Sequence, residues 1–413
     1  MYELLLESFA KSKKPHEIIV VGLGFMGFGF ISYLSKIKGI KVALLVSRRP
    51  QDAVSTLNAA GIKSKVAKNI REARNLMLKG YLPVSDNLDL IGEHRAKLLL
   101  EMTGTIAYAT DVSLRALASG KDLVTMNPEL QDTVGTELKR IADSKNLIIS
   151  DVVGDQPGSL SRMISQARLM GFEVLVAGNM KRYLDVHATQ EKMAPWAQDK
   201  GLAVRQTTSF TDGTKQAIEM SLVANYFGFS IAKGGMLGPR VRTIHDALDK
   251  FEMKKIKSEG IVDYVIGKKL FPGIFLIVKH NDINQPKYLS YLGLGNGPFH
   301  ILFEPYHLCH LEILTTIGQV IFFRRETINS GRGTQTKTIA FCKFNLKKGA
   351  LLDGIGGDTV YGKIEHAKLS KTYLSVGLTD GAKLKRGLKQ DEPIKLSDVE
   401  IPVNSATRLL KLA

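Results

Sequence analysis

Only two cysteines, Cys309 and Cys342, occur in 413 residues, which excludes a disulfide framework and reads as a pair of reduced thiols. Long apolar runs are also missing. The best of them, Phe271–Val278, falls far short of the ~20 residues that span a bilayer and is interrupted by Pro272 and Gly273. The first residues, Met1-Tyr-Glu-Leu-Leu-Leu-Glu7, carry acid on both sides of a small apolar patch, so the basic start and apolar stretch of a secretory signal are not there. These shortages predict a cytoplasmic chain that neither enters nor crosses a membrane. Carboxylates are scarce as well: 40 Asp and Glu face 57 Lys and Arg, a formal charge of +17. The densest basic groups, Lys11–Lys14, Lys254–Lys257 and Lys383–Arg386, are short and lack the interleaved aromatics of a single-strand platform, so nucleic acid is not expected. A basic balance of this kind reads first as a solvated basic surface and leaves room for a small anionic ligand.

What is present is an ordinary globular composition, 44% hydrophobic and 23% charged, long enough for two or three cores. Glu17–Val21 is a short buried-strand pattern running into Gly22-Leu-Gly24-Phe-Met-Gly27, after which Phe28–Ile37 reads as a helix. Lys41–Val46 supplies a second strand. Further apolar runs at Ala96–Leu100, Asp122–Met126 and Asn146–Ile149 alternate with helical patterns at Ala107–Ser119 and Thr133–Ser144. That alternation predicts an α/β fold, a Rossmann-type doubly wound sheet ending near residue 155. The stretch Ala73–Arg95 fits this scheme poorly and reads as an insertion with helices of its own. A middle α+β region follows, with a helix over Gln216–Gly228 and strands at Phe271–Lys279 and Phe299–Phe303. After the polar run Asn329–Thr334 the texture changes to short apolar segments between glycine turns, a small C-terminal all-β module. The expected boundaries are 1–157, 158–330 and 331–413.

The glycine turn has a mechanical reading. Gly22 permits the turn, Gly24 lets backbone approach a pyrophosphate, and Gly27 lets the helix pack on the strand, with the phosphates at the helix N-terminus beside Phe25 and Met26. At the end of the second strand, where an NAD-selective domain has a carboxylate, the chain has Ser47-Arg48-Arg49, and no acid before Asp52. Guanidiniums there can pair with a 2′-phosphate, so the expected cofactor is NADPH.

Three polar clusters resist a packing explanation: Ser150–Gly158 with Asp155, Gly178–Lys181, and Thr211–Lys215 running into a helix with Glu219. Lys215 and Glu219 are four apart and share a helix face. A lysine can orient a carbonyl or phosphate, and carboxylates can relay a proton or hold a divalent ion, so a magnesium or manganese ion is left open. His307-Leu-Cys-His310-Leu-Glu312 has the composition of a ligand cluster. As a strand it would put His307 on the face opposite His310 and Glu312, which favours packed histidines over a metal site.

With Gly22–Gly27, Gly154–Gly158, Gly178–Lys181, Thr211–Lys215, Pro305–Leu308 and Leu352–Gly357 in place, the chain resembles the bacterial deoxyxylulose phosphate reductoisomerase-like oxidoreductases, relatives of homoserine dehydrogenase. The tail resembles the SAF, or antifreeze-like, β-clip module. The resemblance implies a three-domain subunit that forms a homodimer through its middle domain. It implies NADPH on the first domain, held by the glycine turn, Ser47 to Arg49, Thr103, Gly104 and Asn127. It also implies reduction, with or without isomerisation, of an anionic or phosphorylated sugar-like carbonyl, as in isoprenoid biosynthesis, with Lys181, Asp212, Lys215, Glu219 and Asp155 as the catalytic set. Asn127 is followed by Pro128 where homoserine dehydrogenases have Asn-Lys, which counts against homoserine.

Overall fold

The computed structural model describes residues 1–331 and 333–412; Arg332 of the polar run and Ala413 at the end of the expected C-terminal module lie outside the described residues. The chain forms two compact units, Met1–Asp155 with Leu308–Asn329, and Gln156–His307 with Ser330 onward.

The first unit is built on a parallel sheet. Helix α1 (Tyr2–Ala10) precedes β1 (His16–Val21), and the strands β2 (Ile40–Val46), β3 (Ser64–Val66), β4 (Leu82–Ser85), β5 (Leu98–Glu101), β6 (Asp122–Thr125) and β7 (Ile149–Asp151) follow. Helices α2 (Phe25–Leu34), α3 (Pro50–Ala59), α4 (Ile70–Leu78), α5 (Asp89–Glu93), α6 (Ile106–Ala118) and α7 (Pro128–Ser144) make the crossovers. The seven strands lie in the order β3-β4-β2-β1-β5-β6-β7, and every neighbouring pair is parallel. This is the doubly wound Rossmann-type sheet, buried on both faces, which is why its strands read as near-continuous apolar runs. The winding reverses between β1 and β5, where ligands of such sheets collect at the carboxyl ends.

Two expectations change here. Ala73–Arg95 is no insertion: it completes α4 and supplies β4 and α5, and β4 sits between β3 and β2 within the sheet. Strands of three and four residues, one of them containing Pro83, are too short to show a periodicity. Leu308–Asn329, read from sequence as part of the middle region, returns to the first unit. Its helix Ile313–Phe323 puts Ile313, Ile317 and Val320 into the same core as Ile18, Val20 and Phe30. Ile328 then bridges the edge of β7 at Asp151.

The second unit holds α8 (Gln156–Leu169), β8 (Phe172–Lys181), α9 (Gln190–Lys200), α10 (Val204–Thr211), α11 (Thr214–Phe227), β9 (Ile261–Ile266), β10 (Ile274–His280), β11 (Phe299–Glu304), β12 (Thr336–Cys342) and β13 (Val360–His366). A mixed sheet runs β11-β10-β8-β9, with β8 parallel to β9 and β10 antiparallel to both its neighbours. One face of this sheet carries a core of Val176, Met180, Phe275, Ile277 and Val265. Helices α8 and α11 pack against the sheet, and α11 also packs on the antiparallel pair β12–β13. A second small ladder joins Lys383–Leu384 to Val399–Glu400. Among the described residues no helix is long and apolar enough to cross a membrane.

Candidate functional site

In the first unit the glycine turn lies at the reversal point of the sheet, and each glycine has its own reason. Gly22 has φ +103°, and a Cβ there would lie 2.8 Å from the Met102 carbonyl oxygen at the end of β5. Gly27 in α2 would put a Cβ 2.4 Å from Gly22 O, so the helix can lie against the turn only without a side chain. Gly24 differs. It is exposed, its φ of −78° suits any residue, and a Cβ would meet nothing within 4 Å. No side chain caps α2, whose first amides belong to the exposed Phe25, the half-buried Met26 and the buried Gly27. Open space beside Gly24, at an uncapped helix N-terminus, suits a pyrophosphate.

At the end of β2, Ser47 N donates to Ser85 O at 2.8 Å. Arg48 lays its guanidinium over the Tyr108 ring, 5.4 Å from the centroid. Arg49 is exposed and 3.6 Å from Asp52, a pairing that holds it weakly against water. Both arginines therefore remain able to meet an anion.

Thr103 and Asn127 are drawn into a network with a residue that sequence reasoning passed over. Glu101 closes β5, wholly buried, and accepts from Thr103 N at 2.6 Å, from the Thr103 hydroxyl and from Asn127 Nδ2 at 3.0 Å. Burial pushes its carboxyl up to about 7 against the pull of those donors. Asn127 also donates to Thr103 O at 2.8 Å and caps α7 by accepting from Leu130 N at 3.0 Å. Its amide thus clasps two strand ends together, leaving exposed Gly104 as the accessible backbone of that loop. The signal was a carboxylate ending the apolar run Leu98-Leu-Leu-Glu101.

In the second unit, the order of elements gathers the expected residues at one end. Ser230, just past α11, bridges Ile261 at the start of β9, so α11 runs back along β9 toward Ile266. Ile266 pairs with Lys181, the last residue of β8. A 14-residue helix and a six-residue strand are both ~20 Å long, which brings the start of α11, with Lys215, to the end of β8. Asn179 Nδ2 donates to Gln156 Oε1 at 2.6 Å, placing the start of α8 there too. Lys215 and Glu219 lie 3.8 Å apart and both side chains are largely buried, so they are no solvent pair. Among the described residues, Asn179 Oδ1 and Gln216 Oε1 are buried acceptors that no protein donor reaches.

Asp212 is placed differently from its neighbours. It is buried, accepts from Thr214 N at 2.8 Å, and faces Lys343 Nζ at 2.9 Å. Burial pushes its carboxyl up while Lys343 pulls it down. This geometry gives Asp212 an internal partner and does not place it on a substrate. Asp155 is buried at the end of the first unit, where Gly154, at φ +101°, packs against Cys309 O. The histidine segment is not a strand. Cys309–Glu312 is a 3-10 turn, His310 packs on Gly29 of α2, and His307 Nε2 lies 3.4 Å from Gln156 Nε2 in the second unit. Among the described residues no three His, Cys, Asp or Glu side chains converge as metal ligands, so the donor set for a divalent ion is not assembled.

Residues 154–313 match the family described as the catalytic domain of oxidoreductase DRL. That stretch contains Asn179, Lys181, Lys215 and Glu219, and ends before Lys343. Over 179 residues the chain is 25% identical to a homoserine dehydrogenase of Bacillus subtilis, 41% of each chain. Over 242 residues it is 22% identical to that of Lactococcus lactis, covering 55% of this chain and 54% of the other. The chain thus spans about half or less of the curated relatives it matches. Among solved structures, homoserine dehydrogenase from Thiobacillus denitrificans is similar at a TM-score of 0.43 and 12% identity, over 93% of this chain and 99% of that one. Scyllo-inositol dehydrogenase from Lactobacillus casei, with NAD(H) and scyllo-inositol bound, is similar at 0.44 and 11% identity, over 77% and 92%. At such identities these structures do not bear on this chain's chemistry.

Proposed function

We propose that this chain is an NADPH-dependent oxidoreductase that reduces the carbonyl of a small anionic, sugar-like substrate, as the deoxyxylulose phosphate reductoisomerase-like enzymes do. The observation that carries this reading is the open turn at Gly24, which has no internal steric reason to be glycine, followed at the end of the next strand by Arg48 and Arg49. The match of residues 154–313 to an oxidoreductase catalytic domain supports it.

When bound, the dinucleotide would supply a hydride, its pyrophosphate on the first amides of α2 and its 2′-phosphate between Arg48 and Arg49. This chain's own residues do the rest. Lys215, largely buried, donates a proton from Nζ toward the substrate oxygen as negative charge develops on it. Glu219, 3.8 Å away, keeps that ammonium charged and relays the replacement proton. Lys181 holds the substrate's anionic group, and Asn179 and Gln216 offer buried oxygens to its hydroxyls. A homodimer through the second unit belongs to the same proposal, and the edge strand β11, with Phe303 exposed, is the surface that suits it.

Fluorescence titration with NADPH and NADH tests the cofactor. NADPH is expected to bind at least about tenfold tighter, and Arg48→Ala to remove most of that preference; equal binding of the two would sink it. Turnover is then assayed as NADPH oxidation with 1-deoxy-D-xylulose 5-phosphate. Lys215→Ala should lower kcat by about 100-fold and leave NADPH affinity within about twofold. The homoserine dehydrogenase relatives favour a second reading, simple reduction of a hydroxy-acid aldehyde. Turnover of the homoserine aldehyde without turnover of the sugar phosphate would select it.

A further inference from the structure

The helix that carries Lys215 and Glu219 is gripped at both ends by the C-terminal segment. At its start, Asp212 Oδ1 accepts from Thr214 N at 2.8 Å, and its other oxygen takes Lys343 Nζ at 2.9 Å. Lys343 is wholly buried and also donates to Ala188 O and Gly357 O, both at 2.7 Å. The ammonium is therefore held by two hydrogen-bonded carbonyls and one close carboxylate, on three separate stretches of chain. The Thr214 hydroxyl accepts from Gly362 N of β13 at 2.7 Å. Near the far end, Asn225 Oδ1 accepts from Gln335 N at 2.7 Å and from Thr336 N at 3.0 Å, and the Thr336 hydroxyl meets Ser221 Oγ at 3.1 Å.

Stability alone does not call for a lysine here. A buried ion pair is weak evidence for stability, because well-packed apolar residues of similar volume do as well or better. What the pair supplies is geometry: an ammonium held by two carbonyls fixes where the Asp212 carboxylate lies, and that carboxylate fixes the first turn of α11. The residue after Thr214 is Lys215, and Glu219 follows one turn on.

We propose that Lys343 is a positioning residue, through which the C-terminal segment sets the location of Lys215 and Glu219 by way of Asp212 and the first turn of α11. On this view the segment from Ser330 onward is a permanent brace of the substrate helix and not an independent ligand-binding module. The inference rests on the reading of Lys215 and Glu219 given under Proposed function.

The test uses the full chain with the double variant K343M/D212N, which removes both charges, leaves the volume nearly unchanged and keeps an oxygen to accept from Thr214 N. Expected are a kcat lowered at least about tenfold, a KM for NADPH within about twofold of wild type, and faster hydrogen exchange over Thr214–Ile218. Wild-type kcat in the folded double variant, or unchanged exchange in α11, would overturn the proposal. If the double variant does not fold, T214V carries the test, since it keeps the side-chain size and removes the hydroxyl that accepts from Gly362 N and bonds Asp212. A kcat lowered about threefold at unchanged NADPH KM supports the brace, and wild-type kcat overturns it. If wild type itself turns over no substrate with NADPH, the proposed function fails, while the exchange measurement still decides whether Lys343 braces the helix.

Discussion

Helices α2 and α11 each follow directly on a glycine, and they use it in opposite ways. At α2 the glycine leaves the end open: Gly24 has ordinary dihedrals, no side chain caps the first amides, and no atom would oppose a Cβ. At α11 the end is closed: Gly213 sits at φ +83°, Asp212 takes the Thr214 amide, and Lys343 and Gly362 lock both in place. An open N-terminus keeps donors and the positive end of the helix dipole for a ligand. A closed one uses them internally and in return holds the following side chains to one position. The difference teaches that a glycine before a helix does not by itself mark an anion site; what surrounds it decides.

The closed end is the easier to break. Lys343→Met alone should cost about 3–5 kcal/mol of unfolding free energy, because it strands the buried Asp212 carboxylate, whereas the double variant should lie near wild type. Urea titration of the two variants checks this, and equal losses in both would show that packing, not the unpaired charge, dominates. Beneath the open end, Glu101 makes stability depend on pH. Its carboxyl is raised on folding from 4.5 to about 7, so the folded state holds the proton more tightly. The stabilisation is complete below pH 4.5 and is lost as pH rises through about 7, on the order of 3 kcal/mol in all. Urea unfolding between pH 5 and 8 should show that decline, and Glu101→Gln should flatten it even though the variant starts less stable. An unchanged slope in the variant would assign the decline to other groups.

Gly24→Ala sharpens the comparison most directly. It should leave stability within about 0.5 kcal/mol and weaken NADPH at least about tenfold, about 1.4 kcal/mol, since the methyl fills only ligand space. Wild-type affinity in that variant would remove the turn from the cofactor site. Gly213→Ala is the smallest change, about 1 kcal/mol of stability from strain at positive φ with no effect on NADPH affinity. Thermal melts and the same titration read both.

Much of the fold was legible because the parallel sheet demands apolar runs and the crossovers demand helices between them. β1 and the glycine turn stand where their residues say, α2 runs Phe25–Leu34, three residues earlier than the pattern over Phe28–Ile37, and α6 runs from Ile106 where the pattern begins at Ala107. β3 and β4 were not legible, since a strand of three or four residues is held by its neighbours more than by its own pattern. At the site, spacing alone put Lys215 and Glu219 on one face, and the structure adds that the pair is largely buried. Glu101 left a faint mark, a carboxylate ending an apolar run. Lys343 left less, one lysine between Cys342 and Phe344.

The sequence by itself determined the open turn: strand, glycines, helix and the two arginines are local, set within one βαβ unit by backbone sterics and short-range hydrogen bonds. Tertiary structure alone decided the closed one. Asp212, Ala188, Gly357 and Lys343 lie on distant stretches of chain, and only the folding of β12 and β13 onto α11 brings a buried ammonium to a buried carboxylate. No spacing rule encodes that meeting, because the two partners come together and leave water only once the chain has folded.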